Sequence, residues 1–255
     1  MSERQQKILD ILEDQGNVSI ASLSELFGCS RVTIRNDIRT LESLGLLERT
    51  RGGAKKAAHP EQEPGGAAFP SLSRNADAKQ RIAARAYSYI AENSTILLDD
   101  SSACYYLAQH ISRHPEKNVA VLTNSLPSAS VLAGCPHVSL YLIGGHVGGH
   151  LPATMGEQTT ETIRSVYVDL AFISVHSINF NVGLTSIGTP QMQIKRAVLD
   201  TTDKVFVLAD STKFGAGYLE VICPLSDVYR IITDSGLKQE YIDKAEEEHI
   251  PLELC

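Results

Sequence analysis

Apolar residues recur at helical spacing in three short segments near the start of the chain. Residues 5–14 place isoleucines and leucines at i, i+3 and i+4, which predicts a helix with one buried face. Ser19 is positioned to cap a second, shorter helix, and Gly28 allows a tight turn after it. Ser30 is the predicted N-cap of a third helix over residues 31–44. The segment is therefore predicted to consist of three helices joined by tight turns.

The third predicted helix has one apolar and one polar face. Its buried stripe is formed by Ile34, Ile38, Leu41 and Leu44. At 100° per residue, the opposite face carries Val32, Arg35, Asn36 and Arg39. Two helices joined by a glycine-containing turn, the second presenting Arg and Asn outward, are typical of a helix-turn-helix. The residues predicted to contact DNA from this helix and its cap are Ser30, Arg31, Val32, Thr33, Arg35, Asn36 and Arg39.

A short basic segment follows the third helix. Residues 46–53 begin with two leucines and end with Gly-Gly, which predicts a hairpin wing whose Arg49 and Arg51 reach the DNA backbone. Residues 31–56 hold seven basic and three acidic residues, whereas the whole chain has a net charge of −7. A compact cationic stretch on an anionic chain favours local contact with phosphates. A charged face that is merely solvated is the alternative, and charge alone does not separate the two.

The run S-R-V-T-I-R-N-D-I-R-T-L-E-S-L-G-L-L-E-R-T-R-G-G-A, residues 30–54, carries a family resemblance. It closely resembles the amino-terminal winged helix of the deoxyribose-operon-repressor (DeoR) family of bacterial transcription regulators, whose usual pattern is S-x-x-T-I-R-R-D-L, L-E-x-x-G and R-x-x-G-G. Asn36 stands where the family usually has a second Arg. Because Asn can pair bidentately with adenine whereas Arg favours phosphate or guanine, the resemblance implies an operator unlike the family's common ones. A three-helix protein–protein module is the alternative.

The composition changes after residue 54. Residues 55–70 contain three prolines and a Gly-Gly pair without apolar periodicity, which indicates a linker. We predict a winged helix-turn-helix DNA-binding domain over residues 1–56, a linker over 57–73 and an effector-sensing domain over 74–255.

Short runs rich in apolar and β-branched residues then alternate with helical or turn segments. The predicted strands cover residues 95–98, 119–123, 138–143, 169–175, 204–209 and 229–233. Nearly continuous apolar strands between helices indicate an α/β, Rossmann-like domain with a parallel sheet covered on both faces. Sheets of this kind bind ligands at the carboxyl ends of their strands.

Polar and glycine residues directly follow four of these runs. The predicted effector-binding residues are Asp99, Ser101, Ser102, Asn124, Ser125, Gly144, Gly145 and Lys213. Hydroxyls and glycine amides at helix amino termini, together with one Lys, suit a small phosphorylated or acidic ligand. Each group alone is as well explained by ordinary helix capping, but four of them are expected to converge at one sheet edge.

Residues 74–254 resemble the carboxy-terminal sensor domain of the same family. There, a D-x-G-T-T loop, a T-N-S turn, a G-G turn and a D-S-S-K-F-G loop surround a sugar phosphate. The T-N-S and G-G turns are intact here, and D-S-T-K-F-G, residues 210–215, is nearly so. Residues 101–103 read S-S-A where the family has G-T-T, and the missing Gly limits backbone approach to a phosphate.

An enzyme is the competing interpretation, because the sheet and the D-S-x-K loop are similar to those of ribose-5-phosphate isomerase. Proton transfer there depends on the carboxylates of a D-G-A-D-E run, but the matching residues 174–181 contain none. His176 could serve as a base, although a lone His at a strand end is more often a hydrogen-bonding group. His146 and His150 lie four apart in a glycine-rich loop without nearby Cys or acidic residues, so we expect no metal. No G-x-G-x-x-G follows the first strand of the sheet, which disfavours a nicotinamide cofactor.

Composition narrows the class of protein further. The chain is 43% hydrophobic and 21% charged, as in ordinary globular proteins. Its five cysteines are odd in number and form no C-x-x-C pair, which disfavours a zinc finger or a disulfide framework and fits a reducing compartment. No apolar run is long enough for a signal peptide or a membrane span, so a cytoplasmic protein without a membrane partner is expected.

These features together predict a bacterial transcriptional repressor of a sugar or related carbon-metabolism operon. Its expected partners are double-stranded operator DNA and a phosphorylated sugar or similar acidic metabolite, and no cofactor is expected. One winged helix buries too little surface for operator specificity, so a homodimer or homotetramer is predicted. A sugar-phosphate isomerase-like enzyme with an appended DNA-binding domain is the alternative.

Overall fold

Separate hydrophobic cores divide the chain into two units, residues 1–74 and 75–255. The computed structural model describes residues 3–43, 46–50, 52–56, 70–149, 151–215 and 217–255. Leu44, Arg51, His150 and most of the predicted linker lie outside these ranges.

The amino-terminal unit combines helices with a three-stranded antiparallel sheet. Its elements are α1 Glu3–Gln15, β1 Asn17–Ser19, α2 Ile20–Leu26, α3 Arg31–Ser43, β2 Leu47–Thr50, β3 Gly53–Lys56 and α4 Pro70–Ser73. The first three helices and the β2–β3 hairpin match the predicted elements, whereas β1 and α4 were not predicted. Strand β3 lies in the middle of the sheet and pairs with both β1 and β2. The apolar faces of the helices meet in one core that includes Ile8, Leu12, Leu23, Ile34, Ile38 and Leu41.

The carboxy-terminal unit alternates strands with helices, as the sequence predicts. Its strands are β4 Thr95–Leu98, β5 Val119–Thr123, β6 Val138–Leu142, β7 His146–Gly148, β8 Ala153–Met155, β9 Leu170–Ile173, β10 Ser177–Asn179, β11 Gly183–Ser186, β12 Val205–Leu208, β13 Glu220–Cys223, β14 Arg230–Thr233 and β15 Leu252–Leu254. Its helices are α5 Ala76–Tyr87, α6 Ser102–Arg113, α7 Leu126–Leu132, α8 Glu157–Arg164, α9 Thr189–Leu199 and α10 Gln239–Glu247.

Seven of these strands form one parallel sheet in the order β15-β14-β12-β9-β4-β5-β6. This is a doubly wound order: the chain builds β4, β5 and β6 outward in one direction, then returns to add β9 and its successors on the other side of β4. One apolar cluster packs on each face of the sheet. The point at which the strand order reverses lies between β4 and β9, which is where such sheets form a crevice at their carboxyl edge.

Two smaller antiparallel groups lie among the loops and were not predicted. Strands β7 and β8 form a hairpin, and β10, β11 and β13 form a three-stranded sheet. Their strands are only three or four residues long, which is too short for a periodic apolar signal. Among the residues that the structure describes, no helix has the length and apolar character needed to cross a bilayer.

Candidate DNA-binding face and effector site

The polar face of α3 is exposed along its length. Arg31, Arg35, Asn36 and Arg39 are all exposed, and Val32 exposes 62% of its surface between them. An exposed valine among basic and amide side chains suits apolar contact with a thymine methyl group. Within the described parts of the chain, no salt bridge or side-chain hydrogen bond occupies the three arginines or the asparagine of this face.

Ser30 and Thr33, the other residues predicted to contact DNA here, form hydrogen bonds at the amino terminus of α3. Ser30 Oγ accepts a hydrogen bond from the Thr33 amide at 3.1 Å and lies 2.9 Å from Thr33 Oγ1. Ser30 therefore caps α3, as predicted for an N-cap serine, and the Thr33 hydroxyl bonds to that of Ser30. DNA contact by either side chain would add to this structural role.

Asp37 fixes the orientation of α3 against α1. It is buried, and its Oδ2 accepts from Arg4 Nε at 2.6 Å while its Oδ1 accepts from Gln5 Nε2 at 3.2 Å. The hydrogen bond from its guanidinium to Asp37 raises the pKa of Arg4. Arg4 is thus engaged in an ion pair within the unit and helps to hold α1 against α3.

The two glycines of the wing, Gly52 and Gly53, contact the backbone of β1 and the start of α2. A Cβ on Gly53 would lie 1.8 Å from the Val18 carbonyl oxygen, so only glycine permits β3 to approach β1 this closely. The Gly52 carbonyl accepts a hydrogen bond from the Ile20 amide at 2.8 Å. Arg49 lies on β2 of the wing and is exposed, with its Nε 3.8 Å from Glu42 Oε2.

In the carboxy-terminal unit, the Asp99 carboxylate organises the point at which the strand order reverses. Its Oδ1 accepts from the Ser101 amide at 3.0 Å, and its Oδ2 accepts from the Ser174 amide at 2.9 Å. Lys195 of α9 donates from its ammonium to the same Oδ2, and both side chains are buried. Although burial alone raises the pKa of Asp99, the charge of Lys195 and these hydrogen bonds outweigh it and lower the pKa. Asp99 therefore ties β4, β9 and α9 together.

The hydroxyls after β4 stand at the amino terminus of α6. Ser101 Oγ accepts a hydrogen bond from the Cys104 amide at 3.2 Å and caps the helix. Ser102, its first residue, is half-buried. The amides of the first turn point toward the carboxyl edge of the sheet, which is the direction from which an anion can bind a helix amino terminus.

Asn124 and Ser125, after β5, are buried and hold neighbouring elements. Asn124 Nδ2 donates to the Thr154 carbonyl of β8 at 3.0 Å. Ser125 Oγ accepts from the Ser128 amide at 3.3 Å and caps α7. Both side chains therefore hold β8 and α7 in place beside the end of β5.

The two glycines of the turn after β6 differ in the space around them: a side chain would clash at Gly145 but not at Gly144. Gly145 has φ +149°, and a Cβ there would lie 2.0 Å from Thr159 Oγ1. The Gly144 carbonyl accepts from that same hydroxyl at 2.8 Å. Gly144 itself is exposed, and a Cβ on it would meet no atom within 4 Å, so its backbone is open to a ligand.

Lys213 lies in a short turn after β12 whose backbone is held on two sides. Its amide donates to the Asp210 carbonyl at 2.9 Å, and its carbonyl accepts from Ser177 Oγ at 3.0 Å. The buried Asp210 carboxylate accepts from Asn75 Nδ2 at 2.9 Å and from the Thr212 amide at 3.1 Å. The turn is therefore fixed at the end of β12, with the Lys213 side chain half-buried.

His176, considered above as a possible base, is neutral in this setting. Burial and the positive charges of Lys213 and Lys195 lower the pKa of His176 to about 3. Its Nδ1 lies 3.3 Å from Ser186 Oγ, and its ring meets Tyr218 edge-on at 6.2 Å between centroids. A general base works best with a pKa near the working pH, so this imidazole is suited to hydrogen bonding rather than to proton abstraction.

The residues predicted to bind an effector all follow parallel strands, at the carboxyl ends of β4, β5, β6 and β12. They therefore share one edge of the sheet, and their contact with an effector stays a prediction. Lys195 was not predicted, because a lysine within an amphipathic helix pattern gives no sign of burial. Across the described residues, no cluster of three or more His, Cys, Asp or Glu side chains is arranged to hold a metal ion.

A winged helix-turn-helix unit, followed by a doubly wound sheet with polar loops at its carboxyl edge, defines a DNA-binding regulator with a sensor domain. Residues 4–59 match the DeoR-like helix-turn-helix domain, and residues 74–235 match the DeoR C-terminal sensor domain. The chain belongs to the DeoR family of transcription regulators.

The chain is also similar to individual relatives and to solved structures. It is 29% identical to the HTH-type transcriptional regulator GolR of Listeria innocua, over 99% of this chain and 98% of that protein. It is 30% identical to the transcriptional repressor AccR of Agrobacterium fabrum, over 92% of this chain and 90% of that protein. Among solved structures, ribose 5-phosphate isomerase A of Methanocaldococcus jannaschii is similar over 55% of each chain, with 17% identity and a TM-score of 0.41.

Proposed function

We propose that this DeoR-family protein is a transcriptional repressor of a sugar or related carbon-metabolism operon, and that it reads its operator through α3. The observation that carries the proposal is the exposed face of α3, on which Arg31, Arg35, Asn36 and Arg39 surround Val32. Asp37 anchors the helix from behind, so these side chains are presented on a rigid element. Arginine and asparagine are the side chains that pair bidentately with base edges in the major groove.

The wing supplies the sequence-independent part of the interaction. We infer that Arg49, which lies exposed on the hairpin, contacts phosphates beside the groove that α3 occupies. Arg51 lies outside the described residues, and the basic character of its sequence segment supports the same role for it. Contacts of this kind add affinity for any duplex and make the binding depend strongly on salt. Affinity and base selectivity are thus assigned to two different elements of the same unit.

The effector is a small anion, a phosphorylated sugar or a similar acidic metabolite, bound at the carboxyl edge of the sheet. The amides at the start of α6, the open Gly144 turn and Lys213 supply donors and positive charge there. Burial is the main cause of the lowered pKa of His176, and the positive charges of Lys213 and Lys195 lower it further, so both ammonium groups act on this edge. Asp99, Asn124 and Ser125 position these groups, since their side chains already bond within the protein.

We assign regulation and not catalysis to this edge. Residues 174–181 contain no carboxylate, the Asp99 carboxylate is paired with Lys195, and the pKa of His176 is about 3. Because the effector must bind the two DNA-binding states unequally to regulate anything, it acts by changing operator affinity. A protein that binds chromosomal operators works in the bacterial cytoplasm, and it does so as a homodimer or homotetramer that reads repeated half-sites.

Selection of tight-binding duplexes from a random pool tests this function directly. The chain is expected to enrich one sequence, and a promoter carrying that sequence should be silenced when the protein is expressed. Arg35→Ala and Asn36→Ala should each weaken binding to the selected duplex by about 1–3 kcal/mol and relax its base preference.

Arg51→Ala is the matched comparison, because it removes a charge assigned to phosphate contact. It should weaken selected and random duplexes alike and flatten the dependence on salt. Failure to enrich any sequence would contradict the function, and equal losses on selected and random DNA for Asn36→Ala would contradict the base-reading role of α3. Turnover of pentose phosphates that His176→Ala abolishes would favour the isomerase alternative.

A further inference from the structure

One edge of the parallel sheet is unusual for its lack of charge. The stretch Asn118–Gly156 contains no Asp, Glu, Lys or Arg, although 21% of the whole chain is charged. This stretch forms β5, α7, β6, β7 and β8, so the uncharged sequence makes up one complete end of the sheet. A soluble surface normally mixes both signs of charge, and an uncharged sector of this size needs an explanation.

The uncharged end exposes large apolar side chains next to an open strand edge. Tyr141 and Leu142 of β6 expose 57% and 52% of their surface, and Val147 of β7 exposes 50%. In the part of the chain that the structure describes, β6 pairs with β5 on one side and with no strand on the other. Exposed sheet edges pair readily with another strand unless lysine, proline or a bulge within the strand prevents it, and Val138–Leu142 contains none of these.

The opposite edge of the same sheet shows the contrast. Glu253 of the edge strand β15 is ion-paired with Arg85 and with Arg230. Charged groups on an edge strand disfavour pairing with another chain. The two edges of the sheet are therefore chemically distinct, and β6 is the edge suited to association.

We propose that β6 is the surface through which two copies of this chain associate, by antiparallel pairing of the two β6 strands across a twofold axis. Charge favours a second copy as the occupant: each copy has a net charge of −7, and a contact through this uncharged end brings no like charges of the two copies against each other. A twofold axis at Leu140 places Ser139 opposite Tyr141 of the other copy and Val138 opposite Leu142 of the other copy. The two large apolar side chains that β6 exposes, Tyr141 and Leu142, then each face an uncharged residue of the other copy.

This pairing joins the two sheets into one and gives the repressor its second DNA-binding unit. It deepens the proposed function, which requires two copies to read an operator, by naming the surface that joins them. Gly144 and Gly145 directly follow β6, so an effector bound at that turn lies beside the contact between the copies. Binding of an effector at the Gly144–Gly145 turn can therefore alter the contact between the two β6 strands.

The test measures the mass of the full-length protein by sedimentation without DNA, so that its outcome is independent of the operator assay. Ser139→Lys and Tyr141→Glu each put charge into the paired edge and should weaken association by about tenfold or more. The variant with both substitutions should associate again, because each new lysine then faces a new glutamate of the other copy. Tyr167→Glu is the control: Tyr167 is 76% exposed, outside this edge, and the change should leave the mass unaltered.

Recovery of the parent mass by the double variant is the result expected from antiparallel pairing at β6. A parent that stays monomeric at all concentrations overturns the proposal, and so do single variants that associate like the parent. A double variant that fails to recover, while melting like the parent, also overturns it. Binding of a monomeric parent to neutral phosphatidylcholine vesicles would assign the uncharged edge to a membrane surface instead.

Discussion

Lys195 and Asp99 form a buried ion pair at the point where the strand order of the sheet reverses. Lys195 lies on α9 and Asp99 follows β4, and the pair is separated by 96 positions in the chain. The same carboxylate accepts the Ser101 and Ser174 amides, so one charged pair fixes the ends of two neighbouring strands and the start of α6. The geometry of the predicted effector site depends on it.

Removing the lysine should destabilise the sensor unit strongly. Lys195→Met leaves the Asp99 carboxylate buried without a counter-charge, and loss of one partner of a buried pair costs about 3–5 kcal/mol. The same change at the exposed Lys204 should have little effect. Urea unfolding of both variants gives the comparison, and Asp99→Asn combined with Lys195→Met should be less damaging than Lys195→Met alone. Equal stability of the Lys195 and Lys204 variants would contradict the structural role of the pair.

The pair also shows where sequence reasoning stops. The helical period of α3 and the short, nearly continuous apolar runs predicted the DNA-binding unit and six strands of the large sheet, because both signals are contained within a few neighbouring residues. The burial of Lys195 depends on a partner that only the folded chain brings near. The sheet of β10, β11 and β13 was missed for a related reason, since strands of three or four residues are defined by the neighbours with which they pair and not by a pattern of their own.

The two candidate sites also differ in how much of each could be predicted from the sequence. The exposed residues of α3 follow from helical geometry once Ser30 is recognised as a cap, so the prediction and the structure place them alike. At the carboxyl edge of the parallel sheet, the sequence predicted which loops lie there but not the hydrogen bonds that their side chains form. Asn124 and Ser125 gave the same signal as ligand-binding residues, yet the structure shows both of them bonded to neighbouring backbone.

The two adjacent glycines of the wing should respond differently to alanine. Gly53→Ala forces a Cβ to within 1.8 Å of the Val18 carbonyl oxygen, so β1 and β3 must separate, at a cost of about 1–3 kcal/mol. Gly52→Ala meets no atom within 4 Å and should be close to neutral. Hydrogen exchange followed by mass spectrometry on peptides from residues 17–26 should show faster exchange for Gly53→Ala only. Similar exchange in both variants would mean that the wing does not depend on this approach.

Protonation of His176 should oppose folding. Its pKa is about 3 in the folded chain and about 6.5 when unfolded. Between these values the unfolded chain binds the extra proton, so the free energy of unfolding falls as the pH is lowered through this window. His176→Gln removes this contribution and should make stability less dependent on pH from 6.5 downward. Histidine-selective NMR checks the cause, because the ring of His176 should remain neutral at pH 5; a charged ring at that pH would contradict the assignment.

Lys213 should carry the response to the effector. It lies at the end of β12 in a turn fixed by Asp210 and Ser177, on the edge where the α6 amino terminus and the Gly144 turn also converge. Because residues 101–103 lack the glycine that favours close approach to a phosphate, the ammonium is expected to supply more of the anion binding here. Lys213→Ala should therefore abolish the effect of ligand on operator binding and leave affinity without ligand unchanged.

A panel of phosphorylated pentoses and hexoses, titrated against the selected operator duplex, provides the measurement for Lys213→Ala. Lys238→Ala is the matched control, since Lys238 carries the same charge on a side chain that is 75% exposed. The control should respond like the parent, whereas Lys213→Ala should bind DNA and melt like the parent without responding to any active compound. A normal response at the same ligand concentrations would show that the anion binds elsewhere. Unfolding of Lys213→Ala would assign the lysine to the stability of the turn, and in that case Lys213→Met, which keeps the aliphatic stem, separates packing from charge.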